Sequence, residues 1–129
     1  MLYVHLVILL ALLELFLFAV AVSRARSVFG IKAPATTGHP VFDRTYRVQA
    51  NTIEHLVIFV PSILFFAWYV GAYIAAALGV VFLVGRILYF RGYVKDPEAR
   101  GPGAILTALP NALLLIGSIV GVIWALVQR

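Results

Sequence analysis

The amino-acid sequence predicts an all-α membrane protein, folded as a bundle of four transmembrane helices. Of its 129 residues, 64% are hydrophobic and 12% are charged, and the mean hydropathy is +1.05, whereas a soluble domain is about half apolar and about a quarter charged. Apolar runs long enough to cross a bilayer recur along the chain, and the basic residues cluster between them. The length is typical of one domain, here residues 1–129.

The absence of cysteine excludes several kinds of chemistry. With no cysteine, the chain has no disulfides, no thiolate metal ligands and no cysteine nucleophile, so a thiol reaction would need a thiol that arrives with a ligand. The three histidines lack the spacing of metal ligands, and the sequence has no glycine-rich nucleotide-binding motif. We therefore expect no metal and no nucleic acid partner. The net charge of +5 fits the excess of lysine and arginine on one side of a membrane protein.

The first helix is expected at residues 2–23. The apolar run Leu2–Val22 is long enough to cross a hydrocarbon core about 30 Å thick. A cleaved signal peptide is the alternative, since Ala19–Ala21 resembles a cleavage site, but no basic residue precedes the run and the run is too long for that role. Glu14 lies in mid-span, where a carboxyl group needs a partner. We expect that partner to be Asn111.

Charge placement divides the next apolar stretch into two helices. Residues 56–85 carry no charge, and as one helix they would extend about 45 Å, too far for one untilted crossing. Basic residues flank both ends, with Arg44 and Arg47 before the stretch and Arg86 and Arg91 after it. A single crossing would put these clusters on opposite sides of the membrane, against the positive-inside rule. A hairpin keeps them on one side.

The turn of this hairpin is expected near Gly71, and the remaining helices at residues 44–70, 74–94 and 103–128. Residues 95–103 contain the prolines and glycines typical of a loop. The segments before helix 2 and helix 4 hold most of the lysine and arginine residues, so both loops are predicted to be cytoplasmic. Both termini of this multi-pass protein would then lie on the opposite side of the membrane.

Polar residues form one stripe on each helix of the hairpin. Helix 2 carries Arg47, Asn51 and Glu54, and helix 3 carries Arg86, Tyr89 and Tyr93. At about 100° per residue, the three residues of each set span about 60° around the helix axis, so they lie on one face. If the stripes face each other, they line a polar pocket near the cytoplasmic interface. Arg26 and Arg100, from the flanking loops, would ring that pocket.

The chemistry of these side chains predicts the kind of ligand. Guanidinium groups pair with carboxylates through two donors, whereas carboxylate and amide groups such as those of Glu54 and Asn51 suit an ammonium or amide. This set of side chains matches a small zwitterion with more than one carboxylate, which would react with an apolar co-substrate from the lipid. The structural alternatives are that Arg47 and Arg86 snorkel to the interface, that the two tyrosines form an aromatic belt, and that Glu54 only neutralises Arg86.

Three motifs resemble a known family. They are R-x-Q-x-N-x-x-E at residues 47–54, GRILYFRGY at residues 85–93, and TTG at residues 36–38 followed by FDRTY at residues 42–46. Together they resemble the membrane-associated proteins in eicosanoid and glutathione metabolism, the MAPEG family. That family includes microsomal glutathione transferases, leukotriene C4 synthase and the five-lipoxygenase-activating protein. The resemblance covers nearly the whole chain.

The resemblance implies a homotrimer of four-helix subunits that binds glutathione between neighbouring subunits. By motif, the expected glutathione ligands are Arg26, Arg47, Gln49, Asn51, Glu54, Tyr89 and Tyr93. Arg100 matches the arginine that stabilises the glutathione thiolate, and a fixed cation near a thiol favours the ionised, nucleophilic form. The implied acceptor site is a hydrophobic groove between helices 1 and 4 of adjacent subunits.

The implied function is that of a membrane-bound glutathione transferase that attacks lipophilic electrophiles, with reduction of lipid hydroperoxides as a second activity. His55 stands where eicosanoid-making relatives carry tyrosine, and Ser27 replaces a second basic residue beside Arg26. These departures favour a bacterial-type or detoxifying member over an eicosanoid synthase. The alternatives are a non-catalytic lipid-binding scaffold of the same fold and a small proton-coupled multidrug transporter that uses Glu14.

Overall fold

Four long α-helices make up the structure, a computed structural model that describes residues 1–129. They are α1 (Leu2–Phe29), α2 (Pro40–Tyr69), α3 (Ala72–Lys95) and α4 (Gly101–Val127). A short 3-10 helix, Pro97–Arg100, precedes α4. Each of the four helices is long and apolar enough to cross a membrane. The expected all-α architecture with four spans is confirmed.

The first loop is shorter than the sequence predicts. Helix α1 continues beyond residue 23 to Phe29, because nothing in that segment breaks a helix before Gly30, whose φ of 65° caps it in the left-handed region. Helix α2 begins at Pro40, a favoured first position, and His39 caps it by accepting a hydrogen bond from the Val41 amide at 3.1 Å. The basic segment after residue 23 is therefore partly helical.

The connection between α3 and α4 is structured, and the expectation of a loop over residues 95–103 is wrong. The Asp96 carboxylate accepts a hydrogen bond from the Glu98 amide at 3.1 Å, which starts the 3-10 turn that leads into α4. A Cβ atom on Gly92 would lie 2.5 Å from the carbonyl oxygen of Ala99, so the turn packs tightly on the end of α3. This contact holds Arg100 at the start of α4.

Helices α2 and α3 form the centre of the bundle. Both α1 and α4 pack against this pair, and the Phe59 and Phe82 rings stack at its core with centroids 3.9 Å apart. The Ser118 hydroxyl donates to the Ser62 carbonyl at 2.8 Å and joins α4 to α2. Both basic connections lie at one end of the bundle, which we call the basic end; there Arg44 donates to the Val94 carbonyl at 3.1 Å.

Glycines allow α3 and α4 to approach closely near the basic end. A Cβ atom on Gly85 would lie 2.6 Å from the backbone carbon of Leu106. On the facing helix, a Cβ atom on Gly103 would overlap the backbone of Tyr89. Because neither backbone can move without shifting a whole helix, both positions require glycine.

We predict that Gly103→Ala destabilises the protein by about 1–3 kcal/mol, the usual cost of overpacking a close contact. Thermal unfolding in detergent, followed by circular dichroism, measures this loss. Gly101→Ala is the matched control, because a Cβ atom there meets nothing within 4 Å. Equal melting temperatures for the two variants would contradict the close-packing interpretation.

Candidate active site

A cavity of about 320 Å³ lies at the basic end, between α2, α3 and α4. We call it the polar cavity. Its lining comprises Arg47, Asn51, His55, Arg86, Tyr89, Tyr93, Arg100, Ala104 and Ala108. The structure thus brings together five of the eight residues expected at the site from the sequence: Arg47, Asn51, Tyr89, Tyr93 and Arg100. The volume is at the lower end of the range for small-molecule sites.

The α2 wall of the cavity is built from every fourth residue. Arg47, Asn51 and His55 repeat at the spacing that places side chains on one helix face. Glu54 lies outside the lining, and its carboxylate accepts a hydrogen bond from Arg47 Nη1 at 3.1 Å. The side chains of this pair are 50% and 58% exposed, so the pair orients Arg47 but contributes little stability. Glu54 does not pair with Arg86.

Arg86 is almost completely buried, at 1% exposure, and does not snorkel to the interface. Its Nη2 donates to the Thr52 hydroxyl at 3.0 Å and its Nη1 to the Thr107 hydroxyl at 3.4 Å. Its guanidinium carbon also lies 4.6 Å from the centroid of the Tyr89 ring. The arginine on α3 is therefore bonded to both α2 and α4.

The two tyrosines form part of the same wall. The Tyr89 and Tyr93 rings stack with centroids 5.4 Å apart, and Tyr89 is only 7% exposed. The absence of a side chain on Gly103 allows α4 to pack over the Tyr89 backbone. Tyr89 is therefore a buried site residue and does not belong to a surface aromatic belt.

Two polar atoms of the cavity residues are buried without a hydrogen-bond partner. They are Asn51 Oδ1 and Arg86 Nε. Buried polar groups in folded proteins nearly always have a partner. These two atoms are therefore unsatisfied positions in the wall of the cavity.

Arg26 and Gln49 lie outside the polar cavity. Arg26 donates to the Ala35 carbonyl at 2.6 Å, and its guanidinium lies 5.0 Å from the centroid of the Phe42 ring. Gln49 is half-buried on another face of α2. Neither these two residues nor Glu54 lines the polar cavity.

Glu14 does not contact Asn111, so the expected pair is wrong. Both carboxylate oxygens of Glu14 are buried without a hydrogen-bond partner, in a small apolar pocket between α1 and α3 that includes Leu83. Asn111 instead donates to the carbonyl of His55 at 3.2 Å.

An apolar groove of about 630 Å³ runs along α2 and α4. It is lined by Val57, Ile58, Pro61, Ser62, Phe65 and Tyr69 from α2 and by Leu115, Ser118, Ile119, Val122 and Ile123 from α4. Along α2, Ile58 of the groove follows His55 of the polar cavity by about one turn. The same pair of helices thus carries a polar site at the basic end and an apolar groove beyond it.

Comparison with known proteins identifies the family. The model of the MAPEG family matches residues 4–120. The chain belongs to the MAPEG family. The matched range includes every residue that lines the polar cavity.

Relatives of this MAPEG chain include bacterial and mammalian proteins. An uncharacterized protein from Synechocystis sp. is 42% identical over 119 residues, which are 92% of this chain and 87% of that protein. Human microsomal glutathione S-transferase 2 is 36% identical over 81% of this chain and 71% of its own length. Guinea pig (Cavia porcellus) leukotriene C4 synthase is 37% identical over 64% of this chain and 55% of its own length.

The threonine partners of Arg86 could not be found from the helix pattern. Thr52 and Thr107 also donate to the carbonyls four residues before them, Val48 and Gly103, which is the common behaviour of a threonine within a helix. The only signal in the sequence is the need of a mid-span arginine for partners. That need does not specify which threonines supply them.

We predict that Thr52→Val destabilises the protein by about 1.5–3 kcal/mol, because it leaves one nitrogen of a buried cation unpaired. Thr107→Val is expected to cost less, since its bond to Arg86 is longer. Chemical denaturation in detergent measures both losses. Thr36→Val, at an exposed loop position, is the control, and an equal effect there would show that the bonds to Arg86 contribute nothing.

Proposed function

We propose that this protein is a membrane-bound glutathione transferase. Glutathione binds in the polar cavity, ionises to its thiolate, and attacks a lipophilic electrophile held in the apolar groove. The observation that carries the proposal is the arrangement on α2 and α4, which places a cation-rich cavity beside an apolar groove. Relatives that are named glutathione S-transferase and leukotriene C4 synthase support it.

Glutathione suits the charges of the polar cavity. It has two carboxylates and one ammonium group, and Arg47 provides a cation that can pair with a carboxylate. The unpartnered Asn51 oxygen can accept from an ammonium or amide. The hydroxyls of Tyr89 and Tyr93 can hydrogen-bond to the peptide backbone of the ligand.

We propose that the remaining expected ligands act between the subunits of a homotrimer. Arg26, Gln49 and Glu54 lie outside the cavity of their own subunit. In the proposed trimer, Arg26 and Gln49 of one subunit complete the glutathione site of its neighbour, and Glu54 holds Arg47 toward the ligand. The α1 helix of the neighbour would cover the apolar groove, which gives the expected acceptor site between helices 1 and 4 of adjacent subunits.

Arg100 is positioned to activate the thiol. It lies directly before α4 and lines the polar cavity, where its guanidinium favours an anion. An opposite charge at about 4–6 Å lowers a pKa by about 1–3 units, and a free thiol has a pKa of about 8.5. The thiolate would therefore predominate near neutral pH, and its sulfur would form the new bond as the leaving group departs with the electron pair.

The apolar groove would bring the acceptor to the thiolate from the membrane. Its walls are hydrophobic apart from Ser62, Ser118 and the phenol of Tyr69, and Ser118 already donates to backbone carbonyls. An acceptor with a long apolar chain would fill the groove, so that its reactive carbon reaches the polar cavity. We propose that the basic end faces the cytoplasm, the source of glutathione, and that the reaction detoxifies lipid-soluble electrophiles and reduces lipid hydroperoxides.

The location of Glu14 favours an enzyme over a proton-coupled transporter. Glu14 lies in an apolar pocket between α1 and α3, and it lines neither the polar cavity nor the groove. A carboxylate that exchanged a proton for a cationic drug would have to line the binding space. A scaffold that binds lipid without turnover would have no use for Arg100 at the cavity.

Removal of Arg100 tests thiol activation. We expect Arg100→Ala to bind glutathione but to lower the thiolate absorbance at neutral pH by more than tenfold, because the thiol pKa returns toward its free value. Ultraviolet difference titration of the purified protein with glutathione measures the thiolate. Arg91→Ala is the matched control, since it removes an exposed arginine from the same end of the bundle. Wild-type thiolate in Arg100→Ala would refute the assigned role.

A larger side chain in the groove tests the acceptor site. We expect Leu115→Trp to raise the KM for a long-chain electrophile about tenfold or more, since the indole would occupy the groove, and to leave the KM for glutathione unchanged. Steady-state kinetics with long-chain and short-chain acceptors measure the effect. Leu113→Trp, on α4 but outside the groove, is the control. Equal KM values for the long-chain acceptor in both variants would exclude the groove as its site.

A further inference from the structure

One polar pair lies where the polar cavity meets the apolar groove. His55 lines the cavity, and Ile58, about one turn further along α2, lines the groove. On α4, Asn111 lies between Ala108 of the cavity and Leu115 of the groove. An acceptor in the groove would therefore present its reactive atoms beside His55.

The Asn111 side chain contacts both the backbone and the ring of His55. It is 4% exposed, and its Nδ2 lies 3.2 Å from the His55 carbonyl oxygen and 3.4 Å from His55 Nδ1. Because an amide nitrogen only donates, the contact with Nδ1 favours the neutral tautomer of His55 that carries its proton on Nε2. In that tautomer Nε2 is a donor.

A neutral imidazole that donates a hydrogen bond can stabilise an oxygen that becomes negative during a reaction. Attack of a thiolate on an epoxide carbon creates such an oxygen. Attack on an alkyl iodide instead releases iodide, whose diffuse charge gains little from a hydrogen-bond donor. His55 can therefore distinguish acceptors by their leaving atom.

We propose that His55 Nε2–H donates a hydrogen bond to the leaving oxygen of the acceptor, and that this donor favours acceptors whose leaving atom is oxygen. This role rests on the proposed glutathione transferase activity. His55 is not part of either polar stripe, and activation of the thiol by Arg100 does not require it.

The atoms balance for an epoxide. The glutathione sulfur forms a bond to one ring carbon, the bond from that carbon to oxygen breaks, and its electron pair stays on the oxygen. The His55 donor stabilises this alkoxide, which then takes up a proton equivalent to the one that the thiol lost on ionisation. The product is the hydroxy thioether, and no other reactant is needed.

The test compares two acceptors in matched variants. Initial rates with glutathione are measured for styrene oxide and for 1-iodohexane, in the wild type, His55→Phe and His55→Gln. We expect His55→Phe to lower kcat for styrene oxide by about 10²–10³, the usual effect of removing one oxyanion donor, and to change kcat for the alkyl iodide less than about twofold. His55→Gln restores an N–H donor and should recover most of the epoxide rate.

Asn111→Leu provides a second variant in which His55 is retained. Without the Asn111 amide, the ring proton can occupy either nitrogen, so the epoxide rate should fall severalfold while the alkyl iodide rate is maintained. This variant keeps the role of His55 testable if His55→Phe does not fold.

The outcomes separate this role from the proposed function. A selective loss of the epoxide reaction supports the role of His55. Equal losses for both acceptors, or no loss for either, would overturn it while the glutathione transferase activity stands. If the wild type neither forms a thiolate nor reacts with the alkyl iodide, the proposed function itself fails.

Discussion

The guanidinium group of Arg86, which lies within a membrane-spanning helix, joins three of the four helices. Its exposure is only 1%, and the transfer of such a charge from water to a low-dielectric interior is costly unless hydrogen bonds compensate. The hydroxyls of Thr52 on α2 and Thr107 on α4 and the face of the Tyr89 ring provide that compensation. Because these partners come from different helices, the charge fixes how α2, α3 and α4 are spaced at the basic end.

This spacing determines the form of the polar cavity. Close approach at Gly85 and Gly103 brings α4 against α3, which places Arg100 at the mouth of the cavity and the Tyr89 ring in its wall. The 3-10 turn before α4 ends at Arg100, which joins Arg47 and Arg86 in the lining of the cavity. Fixed cations of this kind favour an anionic ligand.

The bundle also accounts for how a water-soluble thiol and a lipid-soluble acceptor could meet. The residues of α2 change from Arg47 and Asn51 in the cavity to Ile58 and Phe65 in the groove, over a distance of a few turns. His55 and Asn111 lie at the boundary. One helix pair thus presents a polar surface to one reactant and an apolar surface to the other, and the reaction would take place where the two surfaces meet.

Much of the fold was predictable because membrane topology depends on simple quantities. Run length and the positions of Arg44, Arg47, Arg86 and Arg91 were sufficient to predict four spans, and the helical repeat placed Arg47 and Asn51 on one face. The ends of the helices were less predictable. Helix α1 extends to Phe29 because it ends at a left-handed glycine outside the membrane, and hydropathy does not detect that signal.

The pairing of polar groups was the least predictable part of the site. Glu14 has no hydrogen-bond partner, although a cross-helix pair with Asn111 was expected, and Glu54 pairs with Arg47 within α2 and not with Arg86. Helical spacing determines the face of a side chain but not the rotation of one helix against another, and Arg86 could bond to any hydroxyl that this rotation brings near.

The most direct test of the account is whether the polar cavity and the apolar groove bind one ligand together. Isothermal titration calorimetry on the detergent-solubilised protein would compare glutathione with S-hexylglutathione, whose hexyl chain extends from the sulfur. Each buried methylene contributes up to about 0.8 kcal/mol, so we predict that S-hexylglutathione binds at least tenfold more tightly than glutathione. Equal or weaker binding of S-hexylglutathione, or no binding of either ligand, would contradict the account.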